Sequence, residues 1–291
     1  MNQRSIGDAR VGAVGLGAMP LSVNGRPSLE RARATLRAAY DAGVTFVDTA
    51  DAYCVDASDV GHNEALVAEL LGELGSGADD VLVATKGGHV RDAAGGWQLD
   101  GRPEHLTRAA HDSARRLGVD AIGLYQFHRP DPAVPFAESI GALADLVAAG
   151  TVRMAGVSNV DASQIGQARA ILGDALVSVQ NEFSPAFRSS QHELRLCGEL
   201  GLAFLPWGPL GGMSAAAGLG RDHLGVAELA AQRGVSPQRL CLAWILAQGP
   251  HVIPIPGASR PATIADSAAA VTLRLTADEL ARLDERSVNA G

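Results

Sequence analysis

The sequence predicts an α/β fold of the (β/α)8 (TIM) barrel type, one domain over residues 1–291, and three observations carry that expectation. Short runs rich in Val, Ile and Leu alternate with longer helical stretches through almost the whole chain. The runs number eight, the strand count of such a barrel. They are continuously apolar, as strands are in an all-parallel sheet covered by helices.

In order, the strands are expected at 11–17, 44–48, 81–86, 122–128, 152–157, 176–180, 203–207 and 252–255. Amphipathic or Ala-rich helices are expected between them at 29–42, 63–74, 103–117, 136–149 and 162–172, with a helical tail at 277–287. Gly12-Ala-Val-Gly15-Leu-Gly17 superficially resembles the Gly-rich first turn of a doubly wound sheet. Its spacing is wrong, however, and Pro20 follows at once. Residues 87–101, containing Gly95-Gly96-Trp97, form the longest turn-like insertion and are expected as a loop over the barrel mouth. A second loop is expected at 54–62 and a third, small-residue-rich and mobile, at 208–220. Glu64 is expected near the positive end of the helix that His62 and Asn63 begin. Arg31, Arg33, Arg37, Arg115 and Arg116 read as solvated helix faces.

Hydrophobic residues make up 47% and charged residues 19%, which suits a well-buried core and argues against disorder. A formal charge of -8 disfavours nucleic acid as a partner, since phosphate binding depends on clustered Lys and Arg. No apolar run is long enough for a transmembrane helix, and the N-terminus lacks the apolar core of a signal peptide. Cys54, Cys197 and Cys241 have no metal-ligand spacing and suit reduced thiols in a cytoplasmic protein. No membrane partner and no metal are expected; a monomer or weak homo-oligomer is the default.

The chemistry lies in four motifs: Phe-Val-Asp48-Thr-Ala-Asp-Ala-Tyr53, Val-Ala-Thr-Lys86-Gly-Gly, Tyr-Gln-Phe-His128-Arg-Pro-Asp and Gly-Val-Ser158-Asn159. Asp48, Lys86 and His128 close successive strands, and Tyr53 lies five residues beyond Asp48, near enough to fold over the same mouth. A phenol ordinarily titrates near 10, too high for ready proton exchange at neutral pH. An adjacent Lys86 ammonium, held by Asp48, is expected to lower that value and make Tyr53 a general acid. His128 would orient a carbonyl oxygen. Cys54, beside Tyr53, is expected to shape the pocket.

These motifs resemble those of the aldo-keto reductases, bacterial members in particular, over about residues 14–267. The resemblance implies reduction of an aldehyde or ketone with hydride from NADPH, through a catalytic set of Asp48, Tyr53, Lys86 and His128. It also implies that Ser158, Asn159 and Gln180 bind the nicotinamide carboxamide and that Trp207 stacks on the ring, where the family often has Tyr. Leu210, Gly211 and Gly212 would wrap the pyrophosphate. Ser259 and Arg260 remain as the 2′-phosphate grip, favouring NADPH over NADH, although Thr263, Asp266 and Ser267 depart from the family's Arg and Glu-Asn. Met19, His89, Trp97 and Phe183, with Tyr53 and His128, would line the substrate pocket for a small-molecule carbonyl compound. Two other classes stay open: a cofactor-binding regulatory subunit with little turnover, and a metal-dependent barrel hydrolase, which lacks a His-x-His pair.

Overall fold

A computed structural model describes residues 3–212, 216, 218, 219 and 224–288. Its strands are β1 (Gln3–Ile6), β2 (Ala9–Gly12), β3 (Leu16–Gly17), β4 (Phe46–Asp48), β5 (Leu82–Gly87), β6 (His89–Arg91), β7 (Trp97–Leu99), β8 (Ile122–Phe127), β9 (Val152–Ser158), β10 (Leu176–Gln180) and β11 (Ala203–Phe204). Seven of them form one curled parallel sheet in the order β11-β10-β9-β8-β5-β4-β3. Helices α1 (Leu29–Asp41), α2 (His62–Leu74), α3 (Pro103–Leu117), α4 (Phe136–Ala148), α5 (Ala162–Leu172) and α6 (Gln191–Leu200) follow successive strands, and α7 (Leu224–Arg233), α8 (Pro237–Leu246), α9 (Pro261–Ala268) and α10 (Ala277–Val288) complete the layer. The architecture is the expected (β/α)8 barrel.

The eighth barrel position is an irregular segment where a strand was expected. Ile253 and Ile255 N–H donate to Phe204 and Pro206 O at 2.8 and 3.1 Å. On the other side, Gly15 and Gly17 N–H donate to Pro254 and Pro256 O at 2.9 and 3.0 Å. The two prolines have no N–H, so neither can donate back across this closing seam.

Period-two alternation decides which residues face the barrel interior. Phe46, Leu82, Ala84, Leu124, Met154, Ala203, Leu205, Ile253 and Ile255 pack together inside with Ile6 and Val11. Their neighbours Val47 and Val83 pack outward with α1 and α2, and Tyr125, Phe127, Ala155, Val157 and Val179 with α3 to α5. The bond between β9 and β10 shifts register between Leu176 and Ser178. As a result Val177 joins the interior cluster while Ser178, the next residue, also points inward and donates to Gln126 Oε1 at 3.3 Å.

Three expectations are corrected here. The run 11–17 is split between β2, which pairs antiparallel with β1, and the two-residue barrel strand β3. The β1–β2 hairpin turns at Gly7, whose φ of +56° suits the first central position of a tight hairpin turn. A Cβ there would lie 2.7 Å from Met154 Sδ and 2.8 Å from Val177 Cγ1, so this turn sits tightly against the barrel floor. The insertion 87–101 is a second hairpin, β6 paired with β7, in place of an irregular loop. Arg116 is not a solvated residue: its Nε donates to the fully buried Glu64 at 2.6 Å, tying α3 to α2. Of the small-residue loop expected at 208–220, residues 213–215, 217 and 220 lie outside the described ones.

Candidate active site

Asp48 ends β4, Lys86 is the penultimate residue of β5, and His128 follows β8 directly, its N–H donating to Gly87 O at 2.9 Å. Tyr53 arrives by a short turn after β4. Thr49 N–H is fixed to Ala84 O at 2.8 Å, and Gly61 N–H to Asp51 O at the same distance. Asn63, at the start of α2, accepts from Thr49 Oγ1 and donates to Ala18 O and Ser22 Oγ, bracing the turn from behind.

Lys86 is fully buried, and all three of its N–H bonds are committed: to Asp48 Oδ2 at 2.6 Å, Thr49 O at 2.9 Å and Tyr53 OH at 2.9 Å. An ammonium only donates, so the Tyr53 oxygen must accept from it. The Tyr53 phenol oxygen makes no other hydrogen bond among the described residues, and its own O–H is left to point into the cavity it lines. Asp48 Oδ1 accepts from Gln180 Nε2 at 2.8 Å and Gln126 Nε2 at 3.3 Å.

Burial disfavours the Lys86 charge, but the Asp48 carboxylate and Tyr53 outweigh it and hold its pKa above the ordinary value. Lys86 does pull the Tyr53 pKa down, but the expected net lowering is corrected. Burial of the phenol, with Asp48 adding to it, outweighs the pull of Lys86 and raises that pKa, so Tyr53 keeps its proton. His128 is pushed well below the usual imidazole range by burial, then by Lys86, His89 and Arg129, and is neutral at neutral pH. Its Nδ1 is buried without a partner among the described residues. The His128 ring meets Tyr53 edge-on at 5.6 Å and His89 at 4.1 Å, and His89 in turn lies 5.3 Å from Trp97. Burial, then the cations Arg129, Lys86 and Arg91, lower His89 to about 4.

These groups line one end of a cavity of about 710 Å³. Met19, His89 and Trp97 stand there as expected, whereas Phe183 does not. It is fully buried in the core, stacked on Trp244 at 5.7 Å and against Phe204, because its loop turns it under the barrel rim. Cys54 is likewise outside the lining, buried with Sγ toward Ala52 O. Ser158, Asn159, Gln180, Trp207, Leu210 and Gly212 line the floor and wall, and Ser259, Arg260 and Thr263 the far end, at the N-terminus of α9; Gly211 is not among the lining residues.

Asn159 is the one non-glycine residue with positive φ, +59°, among the described residues. That conformation lets its amide join four groups: Nδ2 donates to His128 O and Ser158 Oγ, and Oδ1 accepts from Arg129 Nη2 at 3.0 Å and Trp207 Nε1 at 3.2 Å. Ser158 Oγ also donates to Gln180 O at 2.7 Å. Asp266 is taken by Arg239 and Ser236, while the Arg260 guanidinium has no hydrogen bond or ion pair among the described residues. Two polar residues went unassigned from sequence. Gln126 lies two positions before His128, so strand periodicity puts it on the inward face, and Arg129 is inside the His128 motif itself.

An elongated cavity with an indole and a primary-amide cluster at one end, and a cation at a helix N-terminus at the other, suits a phosphate-bearing dinucleotide. The sequence model of the aldo/keto reductase family matches residues 13–287. The 6-dehydroglucose reductase of Novosphingobium aromaticivorans is 35% identical over 273 residues, covering 91% of this chain and 88% of that one. Pyridoxine 4-dehydrogenase of Escherichia coli is 31% identical over 294 residues, 97% of each chain. An aldo/keto reductase from Klebsiella pneumoniae, solved in complex with NADP and acetate, superposes with a TM-score of 0.79 at 29% identity, covering 98% of this chain and 94% of that one. With the matched region spanning nearly all of the barrel, this chain belongs to the aldo/keto reductase family.

Proposed function

We propose that this protein reduces an aldehyde or ketone to an alcohol with NADPH, Tyr53 serving as general acid. The observation that carries the reading is the Lys86 ammonium donating to Tyr53 OH at 2.9 Å, which forces the phenol oxygen to accept and leaves its proton for a substrate oxygen. When bound, the dinucleotide supplies hydride to the carbonyl carbon. Tyr53 delivers the proton to the carbonyl oxygen as negative charge develops there, and Lys86, fixed by Asp48, stabilises the phenolate left behind. His128, neutral and edge-on to Tyr53, donates a hydrogen bond that holds the same oxygen.

Ser158, Asn159 and Gln180 orient the nicotinamide, with Trp207 as the platform for its ring. Leu210 and Gly212 flank the pyrophosphate, and Ser259 and Arg260 grip a 2′-phosphate, the guanidinium matching its geometry. The NADP bound to the Klebsiella relative supports this choice of cofactor. Met19, His89 and Trp97 shape the substrate end.

The test is oxidation of NADPH followed at the nicotinamide absorbance across a panel of aldehydes and ketones including pyridoxal, with Tyr53→Phe beside it. Turnover that vanishes in the variant supports the reading. Tight NADPH binding without turnover of any carbonyl would replace it with a binding or regulatory role. Arg260→Ala should weaken NADPH far more than NADH, and an unchanged ratio would remove the phosphate grip.

A further inference from the structure

Arg129 is the residue that the reading above leaves without a task. Its guanidinium lines the cavity at the substrate end, held to Asn159 Oδ1 through Nη2 at 3.0 Å. Among the described residues that is its one hydrogen bond, and it forms no ion pair. Arg116 and Arg239, also half-buried, are matched with the acids Glu64 and Asp266, and Arg4 is satisfied by three backbone carbonyls. A guanidinium has five N–H bonds in a fixed fork, so most of the Arg129 donors remain open to the cavity.

Arg91 lies over the Trp97 ring at 4.0 Å but is not among the lining residues, and the rest of the lining at this end carries little charge. Met19 and Trp97 have none, and Asp48 is tied to Lys86. His89 and His128 are neutral at neutral pH, and part of what keeps them so is the charge of Arg129. Glu182 feels the charge of Arg129 but forms no ion pair with it and lies outside the cavity lining. A cation fixed at a neutral, half-apolar rim attracts an oxyanion with little competition from water.

We infer that Arg129 forms a substrate subsite for an oxyanion, so that the preferred substrate is a carbonyl compound that also bears a carboxylate or phosphate. The carbonyl half of this inference rests on the reductase reading; the anion half does not. Hydrogen bonds to charged groups are strong enough to give roughly tenfold or greater discrimination at a partly shielded site.

The experiment compares kcat/KM for matched pairs with NADPH: 3-carboxybenzaldehyde against methyl 3-formylbenzoate, and glyceraldehyde 3-phosphate against glyceraldehyde. The wild-type protein should favour the anionic member of at least one pair by about tenfold or more, and the pair that shows it identifies the oxyanion. Arg129→Gln, whose amide can still donate to Asn159, should bring that ratio to near one, and Arg129→Lys should restore part of it. Added salt should shrink the wild-type ratio. A wild-type ratio of one or less in both pairs overturns the subsite, as does a ratio unmoved by Arg129→Gln. A weaker NADPH Kd in that variant with the ratio unmoved would assign Arg129 to the cofactor instead.

Calorimetry of 3-(hydroxymethyl)benzoate and its methyl ester with the NADP-loaded protein separates the two readings. Charge-selective, Arg129-dependent binding without turnover of any carbonyl would keep the subsite and sink the reductase. Turnover of carbonyls with no charge preference would do the reverse.

Discussion

The two ends of the barrel are built from the same strands and differ in almost every physical respect. At the amino end the interior is apolar: Phe46, Leu82, Leu124, Met154 and Val177 close around Ile6 and Val11 of the terminal hairpin. Two to four residues further along, the same faces carry Asp48, Lys86, Gln126, Ser158 and Gln180. One end is a plug and the other a layer of buried polar groups joined around one ammonium. The plug gains from burial with no polar group to satisfy, so it can be tight and featureless. The polar end must satisfy its donors and acceptors, and at His89 Nδ1, His128 Nδ1 and Asp51 Oδ1, which have no partner among the described residues, burial displaces the affinity for protons. The division of labour follows: stability from the floor, reactivity from the rim.

Substitutions at each end put this contrast to the test. The largest effect is expected from Tyr53→Phe, with carbonyl reduction falling by about 10²–10⁴-fold and thermal stability and NADPH affinity nearly unchanged. A matching collapse of the fold would show that the rim is structural. Ile6→Ala, at the fully buried floor, should lower stability by about 2–5 kcal/mol in denaturant titration while kcat/KM stays within twofold. Loss of activity in the folded variant would mean that the hairpin shapes the rim.

A smaller effect, of opposite sign, is expected from Asp51→Asn. Burial first, then Glu64, raises the Asp51 pKa well above its ordinary value, so the folded chain retains a proton that the unfolded chain releases above about pH 4. Stability therefore falls as pH rises from there, and the amide should lift the melting temperature at pH 7 and flatten that slope. An unchanged pH profile would clear Asp51 of this role. The smallest effect concerns acid. His89, lowered to about 4, and His128, lowered well below 6.5, refuse protons that the unfolded chain accepts. Stability should thus decline as pH drops from 6.5 towards 4, and His89→Gln should soften that decline.

Local pattern was enough to find most elements. α3 and α5 occupy their expected residues, and α1, α2 and α4 differ by a single residue at one end, because their apolar spacing and lengths are those of helices packed on one face. Strands β4, β5, β8, β9 and β10 also lie where apolar runs stand. The terminal hairpin escaped because four-residue strands carry little periodic signal, and the hairpin in residues 89–99 because its Gly-rich turn masks its short arms. At the site, Asp48, Tyr53, Lys86 and His128 could be placed at strand ends from their motifs. Phe183 could not be told from a pocket residue, since only its packing on Trp244 and Phe204 shows that it points inward.

The sequence by itself determined the repeating strand–helix order and the residue types at each strand end, because periodicity and backbone chemistry act over a few neighbouring positions. Three matters were decided only by the tertiary structure. The irregularity between Leu176 and Ser178 turns two consecutive residues inward and so brings Gln180 to Asp48, a phase that strict alternation along β10 would have reversed. The sign of the Tyr53 shift depends on how deeply the phenol is buried as well as on its distance from Lys86, and burial prevails. Arg129, adjacent in sequence to His128, is anchored by Asn159 from the next strand. Which of its donors stay open is therefore a property of the assembled rim, where residues distant in sequence compete for the same few atoms.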